Sequence, residues 1–262
     1  MNVRTLAIAN HKAGVGKTST THALGTALAQ NGQRILLIDF DPQANLTAFC
    51  GVEDAAGASI AEVIGGGLPG KISPWDILRE ILPGLYLFLA PADLALAATE
   101  LGLGGRMGRE FVLRRLLAGI ARGFDLAIID CPSNLGLLTV NALTAANGVI
   151  IPTFPQVDAL RNLWLFLGTL EQIRRELNPD LETLGILVTY FDPRLTHHRV
   201  AVEVMQAVRL PLMPIGIKRR EIQAKVGEVE TEEPTAIYLP NAPEEQAELV
   251  EVVERWAAKG HS

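Results

Sequence analysis

The sequence predicts an α/β fold, in which a single domain spanning residues 1–262 is built on a mostly parallel, twisted sheet with helices on both faces. Short apolar runs, rich in β-branched and aromatic residues, alternate with longer segments of helical pattern, and this alternation is typical of parallel sheets. A chain of 262 residues can also form one large core, because single cores stop growing at roughly 250–300 residues. No second domain is needed.

Six apolar runs are predicted as strands because they are short and are separated by helix-patterned segments. They are residues 3–10, 34–40, 85–91, 125–130, 148–154 and 184–190. Residues 51–84 are instead rich in glycine and proline, and we expect one or two short helices joined by loops at the periphery of the sheet.

Two helices have clear boundaries in the sequence. The first covers residues 18–30, starts on a glycine-bearing loop and ends at Asn31-Gly32, a typical turn and C-cap. The second covers residues 243–258 and repeats apolar side chains at helical spacing, so it should dock on the core. Its apolar residues are Leu249, Val250, Val253, Trp256 and Ala257.

Composition indicates a soluble protein of the cytoplasm. The formal net charge is −6, and no stretch approaches the ~20 consecutive apolar residues of a membrane span. Cys50 and Cys131 lie far apart without a C-x-x-C spacing, which favours reduced thiols over a zinc site or a disulfide. The negative total still allows a local basic patch that binds nucleic acid.

Residues 10–19, NHKAGVGKTS, have the features of a phosphate-binding loop. They follow a predicted strand and lead into a helix, an arrangement that directs backbone N–H groups and a helix dipole at one point. Gly14 and Gly16 let the backbone approach an anion, Lys17 can reach the β- and γ-phosphates, and the Thr18 hydroxyl can bind Mg²⁺. The alternative is an ordinary glycine turn with a surface lysine.

Carboxylates follow two other predicted strands. Asp39 and Asp41 end the second run, and Asp130 ends the fourth. Because the carboxyl ends of parallel strands meet at one edge, these groups should converge on the phosphate loop. One of them can hold Mg²⁺ or its waters while another orients the attacking water, although a strand-end aspartate can also simply cap a helix.

The loop, at residues 12–18, is similar to the K-G-G-x-G-K-[ST] motif of the deviant Walker A group of P-loop ATPases, and the chain resembles the ParA-type partition ATPases within that group. The resemblance implies that Lys12 reaches across an ATP-bound homodimer to the phosphates of the partner subunit. It also implies a nucleotide-binding set of Lys12, Ala13, Gly14, Val15, Gly16, Lys17, Thr18 and Ser19.

Two further segments are similar to the switches of that family. Residues 39–47, DFDPQANLT, form the first switch segment, and residues 128–143, IIDCPSNLGLLTVNAL, form the second. The resemblance makes Asp41 the water-positioning residue, places Asp130 near Mg²⁺, and makes Gly136 a marker of the moving segment. The implied catalytic residues are Lys12, Lys17, Asp41 and Asp130, and the implied residues around the metal are Thr18, Asp41 and Asp130.

The chain departs from the family pattern at two places. Ala13 replaces a glycine, which would narrow the approach to phosphate if that position required a positive φ. After Pro214 the chain reads PIGIKRREIQAKVGEVETEEPTAI, where the family usually has a P-R-N-like stretch that helps to frame the adenine.

The resemblance further implies a nucleoid-associated protein that binds double-stranded DNA non-specifically in its ATP state and is released when a ParB-like centromere-binding partner stimulates hydrolysis. Basic residues in the C-terminal third could contact DNA phosphates, or could form an ordinary charged surface. The candidates are Arg194, Arg199, Lys218, Arg219 and Arg220. His197 and His198 lack the further ligands that would complete a metal site.

Three other functions remain alternatives. A MinD-like membrane switch would need a basic, apolar C-terminal helix, whereas residues 243–258 carry five glutamates. An iron–sulfur electron carrier would need paired cysteines between subunits. A nucleotide-sensing adaptor without turnover would not need Asp41.

Overall fold

The computed structural model describes residues 3–52, 73–89, 107–120, 123–218 and 243–259. Within them, eight strands form one sheet in the spatial order 3-4-2-5-1-6-7-8, and every neighbouring pair is parallel except the third and fourth strands. The strands are β1 (Arg4–Ile8), β2 (Ile35–Asp39), β3 (Leu78–Leu82), β4 (Leu85–Phe88), β5 (Leu126–Asp130), β6 (Gly148–Thr153), β7 (Glu182–Phe191) and β8 (Leu212–Lys218).

Helices cover both faces of this sheet, as predicted. They are α1 (Lys17–Gln30), α2 (Asn45–Phe49), α3 (Val112–Ile120), α4 (Leu137–Ala145), α5 (Ala159–Glu176), α6 (Thr196–Ala207) and α7 (Pro243–Ala258). Because side chains alternate along a strand, Ala7 of β1 packs in one core cluster, while Leu6 and Ile8 pack in the other. The first cluster includes residues of α3, α4 and α5, and the second includes residues of α1 and α7.

All six predicted strands are present, but two strands were not predicted. The expectation of only short helices and loops over residues 51–84 was wrong at Leu78–Leu82, where β3 pairs antiparallel with β4. A two-residue turn at Pro83-Gly84 joins them, with Gly84 at φ +83°. Residues Pro74–Ile77 do form a short 3₁₀ helix, and residues 53–72 lie outside the described part.

The boundaries predicted for the two helices are confirmed. Helix α1 begins one residue early, at Lys17, and is followed by Gly32 at φ +87°. Helix α7 covers the predicted residues, and its buried side chains Leu249, Val253 and Trp256 join the second core cluster. The C-terminal segment therefore belongs to the core that supports α1.

A buried amide connects α4 to the start of α3. Asn141 accepts hydrogen bonds at Oδ1 from the backbone N–H groups of Val112 (3.1 Å) and Leu113 (3.3 Å). Its Nδ2 donates to the carbonyl oxygens of Arg109 (2.8 Å) and Leu137 (3.0 Å). Since the first N–H groups of a helix have no partner within the helix, a side chain of α4 satisfies those of α3.

Both cysteines are free thiols, as the sequence predicted. Cys131 is buried, and Cys50 is partly exposed. Over the residues that the structure describes, we found no helix with the length and apolar character required to cross a membrane.

Candidate functional site

The phosphate loop, residues 10–16, connects the end of β1 to α1 at the carboxyl edge of the sheet. Gly14 (φ +73°) and Gly16 (φ +85°) adopt the left-handed conformation that glycine tolerates best. Among the described residues, no side chain caps the N-terminus of α1. The loop therefore presents backbone N–H groups and the positive end of a helix dipole to an anion.

The alanine at position 13 does not distort this loop. In the described part of the chain, the non-glycine residues with positive φ are Ala44, Tyr190 and Arg209. Ala13 is not one of them, so its methyl group needs no strained backbone. The replacement of the family glycine by Ala13 therefore does not narrow the approach to phosphate through backbone strain, because the residues of the loop with positive φ are Gly14 and Gly16.

Buried polar side chains fix the loop to the sheet. Asn10 donates from Nδ2 to the carbonyl oxygen of Pro152 (2.7 Å) and accepts at Oδ1 from the N–H of Lys12 (3.0 Å). The Thr189 hydroxyl lies 3.0 Å from the carbonyl oxygen of Val15. The side chain of Val15 is fully buried, so this residue can contact a ligand only through its backbone.

A cavity of about 430 Å³ opens above the loop, a volume that suits a small-molecule ligand. Of the residues predicted to bind the nucleotide and metal or to act in catalysis, seven line it, whereas Lys12, Val15 and Asp130 do not. The lining residues are Ala13, Gly14, Gly16, Lys17, Thr18, Ser19, Asp41, Pro42, Gln43, Asn45, Phe49, Ser133, Asn134 and Tyr190.

Lys17 lies at the base of this cavity and is only 5% exposed. Its ammonium donates hydrogen bonds to Ser133 Oγ (2.7 Å) and to the carbonyl oxygen of Lys12 (3.3 Å). Burial lowers the pKa of Lys17, while the negative charges of Asp130 and Asp41 act against that shift. The contact of Lys17 with the outer phosphates stays a prediction, and its position in the cavity lining is the placement that this contact requires.

Asp130 is fully buried beneath the loop. Neither of its carboxylate oxygens has a hydrogen-bond partner that meets the distance and angle criteria among the described residues. The nearby Thr18 hydroxyl favours the charged form of the carboxyl group and acts to lower its pKa. Burial and then the charge of Asp39 raise the pKa of Asp130 well above its usual range. A buried carboxyl group without a hydrogen-bond partner and a neighbouring hydroxyl provide two oxygen ligands of the kind that Mg²⁺ prefers.

The two aspartates of the first switch segment have different surroundings. Asp39 is fully buried and accepts hydrogen bonds from the N–H (2.8 Å) and hydroxyl (2.7 Å) of Thr47. Burial raises the pKa of Asp39 to about 6, although these hydrogen bonds act in the opposite direction. Asp41 lines the cavity and accepts from the N–H of Gln43 (3.0 Å). Asp39 thus holds α2, whereas Asp41 is accessible to a ligand.

Lys12 lies outside the cavity of its own chain. Its ammonium is 3.3 Å from Gln156 Oε1, 3.8 Å from Asp158 Oδ2 and 5.4 Å from the centre of the Phe154 ring. These groups belong to the loop between β6 and α5. The contact of Lys12 with the phosphates of the partner subunit, which the family resemblance implies, stays a prediction.

The second switch segment forms another side of the cavity. Ser133 and Asn134 line it, and Asn134 Oδ1 accepts a hydrogen bond from the N–H of Gly136 (2.9 Å). The Thr139 hydroxyl donates to the carbonyl oxygen of Asn134 (2.5 Å). Gly136 directly precedes α4, so this segment links the cavity to a helix.

Two of the predicted DNA-contacting residues lie where β7 leads into α6. Arg194 forms a two-point ion pair with Asp192, with Nη2 2.7 Å from Oδ2 and Nε 3.0 Å from Oδ1. These hydrogen bonds lower the pKa of Asp192 to about 2. Arg199 donates from Nη2 to Thr196 Oγ1 (3.3 Å) and is exposed.

The remaining basic candidates are described only in part. Lys218 ends β8, and its backbone is in register with Phe191 of β7, so it lies at the same edge as Arg194. Nothing is described of the Lys218 side chain, and Arg219 and Arg220 lie outside the described residues, as does most of the segment expected to frame the adenine.

The histidine pair has a structural role. His198 is buried and accepts a hydrogen bond at Nδ1 from the N–H of Asp192 (3.0 Å), and its ring centre is 4.5 Å from that of His197. Within the described ranges, no group of three or more potential metal-binding side chains occurs. Through this hydrogen bond to Asp192, His198 helps to order the loop after β7.

Several lining residues were missed by the sequence reasoning. Tyr190 has φ +56° and lies against Gly16, where an added Cβ would be 3.4 Å from Tyr190 Cε2. No local pattern identifies such a contact. Ser133 could have been considered because it follows the strand-end Asp130 by three residues. Asn45 lies within the first switch segment itself.

A family model described as an AAA domain matches residues 3–183. Among curated relatives, an uncharacterised protein of Mycobacterium tuberculosis is 40% identical over 78% of this chain, which spans 63% of that protein's length. The sporulation initiation inhibitor protein Soj of Bacillus subtilis is 38% identical over 78% of each chain. The chromosome partitioning protein ParA of Caulobacter vibrioides is 42% identical over 73% of this chain and 71% of its own.

Solved structures show the same fold. Cobyrinic acid a,c-diamide synthase of Mycobacterium smegmatis, with a bound ATP analog and magnesium, is 40% identical, with a TM-score of 0.77 over 83% of this chain and 88% of that one. An ATP complex of McdA from Cyanothece is 26% identical, with a TM-score of 0.72 over 83% and 84%. The cell division ATPase MinD of Pyrococcus furiosus, 21% identical with a TM-score of 0.71 over 97% and 99%, supports the fold alone.

Proposed function

The chain belongs to the ParA and Soj family of chromosome-partitioning ATPases, and we propose that it is a Mg²⁺-dependent ATPase that dimerises around ATP and binds DNA in that state. The observation that carries the proposal is the convergence of Lys17, Thr18 and Asp41 on one cavity, with Asp130 buried beneath it. A plasmid or a chromosome would be the cargo.

The loop residues bind the nucleotide. Backbone N–H groups around Gly14 and Gly16 surround the inner phosphates, and the Lys17 ammonium reaches the outer ones. Because Lys17 is buried and fixed by hydrogen bonds, little side-chain entropy is lost when the phosphates bind.

Thr18 and Asp130 would hold Mg²⁺, because a hydroxyl oxygen and a buried carboxyl group without another partner suit this ion. When bound, Mg²⁺ supplies positive charge that stabilises the transferring phosphoryl group. Asp41 follows β2, the strand that pairs with β5, and reaches the cavity, where it orients the attacking water.

Lys12 acts on the partner subunit. Its ammonium contacts Gln156 Oε1 at 3.3 Å and Asp158 Oδ2 at 3.8 Å, in the loop between β6 and α5. These distances are longer than those of strong charge-assisted hydrogen bonds, so the ammonium can give up these contacts for a phosphate oxygen. In an ATP-bound homodimer it adds positive charge to the partner's phosphates, as an arginine finger does.

DNA binding uses the basic residues at the carboxyl edge of β7 and β8. Arg194 and Arg199 lie at this edge, and the sequence adds Lys218, Arg219 and Arg220. Dimerisation doubles the number of phosphate contacts, so binding to double-stranded DNA should depend steeply on salt. A ParB-like partner would stimulate hydrolysis and release the protein from the nucleoid, in the cytoplasm.

The test is duplex-DNA binding at one moderate salt concentration, with ADP or a non-hydrolysable ATP analogue. We expect the analogue alone to switch on binding by the wild type, and the double variant Lys218→Glu/Arg219→Glu to lose it. Arg255→Glu, a charge reversal at an exposed position of α7, is the matched control. Absence of DNA binding in both nucleotide states would overturn the DNA proposal and leave the ATPase to be tested by phosphate release.

A further inference from the structure

Ser133 contacts the most buried charge of the cavity from a different element. The residue belongs to the second switch segment, and its Oγ lies 2.7 Å from the Lys17 ammonium. A distance of this length is typical of a charge-assisted hydrogen bond. The phosphate loop and the second switch segment are therefore joined at the ammonium group.

The direction of this bond determines what the Ser133 hydroxyl can do next. An ammonium group has only donors, so Lys17 donates and Ser133 Oγ accepts. The O–H proton of Ser133 is then directed to another acceptor. Since Ser133 also lines the cavity, that acceptor can be an oxygen atom of a bound ligand.

The position of Ser133 indicates which phosphate of a bound nucleotide its hydroxyl would contact. The backbone of a phosphate loop surrounds the inner phosphates, and its lysine extends to the outer ones. Ser133 lies outside the loop, contacts the end of the lysine, and follows Asp130 by three residues. A donor at this point faces the terminal phosphate of a nucleoside triphosphate.

The contact is also connected to α4. The neighbouring residue, Asn134, binds the N–H of Gly136 at 2.9 Å and the hydroxyl of Thr139 at 2.5 Å. Residues 134–139 therefore form one hydrogen-bonded unit that begins directly after Ser133 and includes the first turn of α4. A change in the position of Ser133, for example when a ligand binds, should therefore also shift the start of α4.

We propose that Ser133 binds the terminal phosphate of ATP through its hydroxyl, oriented by Lys17, and that this contact couples the presence of that phosphate to the start of α4. The inference rests on the proposed function, because it requires nucleotide in this cavity. It adds to the loop a side chain that distinguishes ATP from ADP.

The test compares the affinities of wild type, Ser133→Ala, Ser133→Val and Ser133→Thr for ADP and for a non-hydrolysable ATP analogue, with Mg²⁺ present. We expect Ser133→Ala and Ser133→Val to bind the analogue about tenfold more weakly, the loss expected for one hydrogen bond to a charged group. Their affinity for ADP should change by less than about twofold. Ser133→Thr keeps a hydroxyl and should bind both nucleotides as the wild type does.

Hydrogen exchange of residues 134–139 provides a second readout. In the wild type and Ser133→Thr, the analogue should protect this segment more than ADP does, and in Ser133→Ala that difference should disappear. An equal loss of affinity for ADP and the analogue, or no loss for either, would overturn the role of Ser133. If the wild type itself binds neither nucleotide, the proposed function fails before the inference about Ser133 is reached.

Discussion

The phosphate-loop edge and the basic segment after β7 lie at the same edge of the sheet, yet they hold their charges in opposite ways. At the loop, Lys17 and Asp130 are buried, and their neighbours come from distant parts of the chain. After β7, the Arg194 side chain is 86% exposed and pairs with Asp192, two residues away. The first arrangement exists only when the whole sheet has formed, whereas the second is local.

This difference separates two kinds of function. Buried charges in a fixed geometry act individually, so the loss of one should abolish a step and should respond little to salt. Exposed charges contribute through their sum, so each should have a small effect that salt screens. Single substitutions in the two regions test this contrast.

Lys17→Ala should have the largest effect. Removal of the ammonium takes away the positive charge of the side chain that faces the outer phosphates and the buried carboxyl of Asp130, and we expect ATP affinity to fall by at least ~1,000-fold. Titration with a fluorescent nucleotide measures this, and Lys259→Ala, at the end of α7, is the control. Retention of wild-type affinity would show that the cavity does not bind phosphate through Lys17.

Asp41→Asn should separate binding from turnover. Asp41 reaches the cavity but is not needed to hold the loop, so ATP should still bind while phosphate release slows by about 10²–10³-fold. Single-turnover phosphate release is the measurement. Unchanged turnover would favour the nucleotide-sensing adaptor instead.

Lys12→Ala should affect assembly. Because Lys12 lies outside its own cavity, nucleotide binding by the monomer should be kept, while the dimer formed with the ATP analogue should weaken by ~30-fold or more. Light scattering coupled to size exclusion measures the dimer. Normal dimers would remove the role assigned to this lysine.

Thr47→Val should lower stability by about 1–2 kcal/mol, because the buried Asp39 loses the hydroxyl donor at 2.7 Å and keeps the backbone N–H groups of Thr47 and Asp41. Thr47→Ser retains a hydroxyl and should be close to wild type. Urea unfolding measures both free energies. Equal stability of the two variants would mean that the backbone N–H groups of Thr47 and Asp41 satisfy Asp39 without the hydroxyl.

Arg199→Ala should have the smallest effect, about a threefold loss of DNA affinity at low salt that shrinks as salt rises. A salt titration of duplex binding with the ATP analogue measures it. A loss of a hundredfold or more would contradict the additive surface and indicate a specific contact.

The sequence was sufficient for the elements that local pattern defines. The loop, the strand-end aspartates and the limits of α1 and α7 depend on spacing within a few residues, and they are found where they were expected. Strand β8 was missed because Pro214 interrupts its pattern, and proline in a strand is tolerated mainly at the edge of a sheet, where β8 lies. Strand β3 was missed because its residues lack a buried alternation and its position depends on pairing with β4.

The site divides in the same way. The motif predicted the loop, but the separate roles of Asp39 and Asp41 depend on which one Thr47 contacts. The contact of Ser133 with Lys17 joins residues 116 positions apart, and no spacing in the sequence encodes it. Ala13 was acceptable only because its backbone angle is not positive, which is also a property of the folded loop.

The amide of Asn141 has a mechanical consequence. Its hydrogen bonds to Val112, Leu113 and Arg109 join the helix that follows the second switch segment to the start of α3, and these three bonds are lost if α4 slides by a fraction of a turn on its own. Because these bonds are either kept or broken, we expect α4 and α3 to move together as one rigid body or not at all. We therefore expect a displacement of α4 that begins at the cavity to move α3 as well.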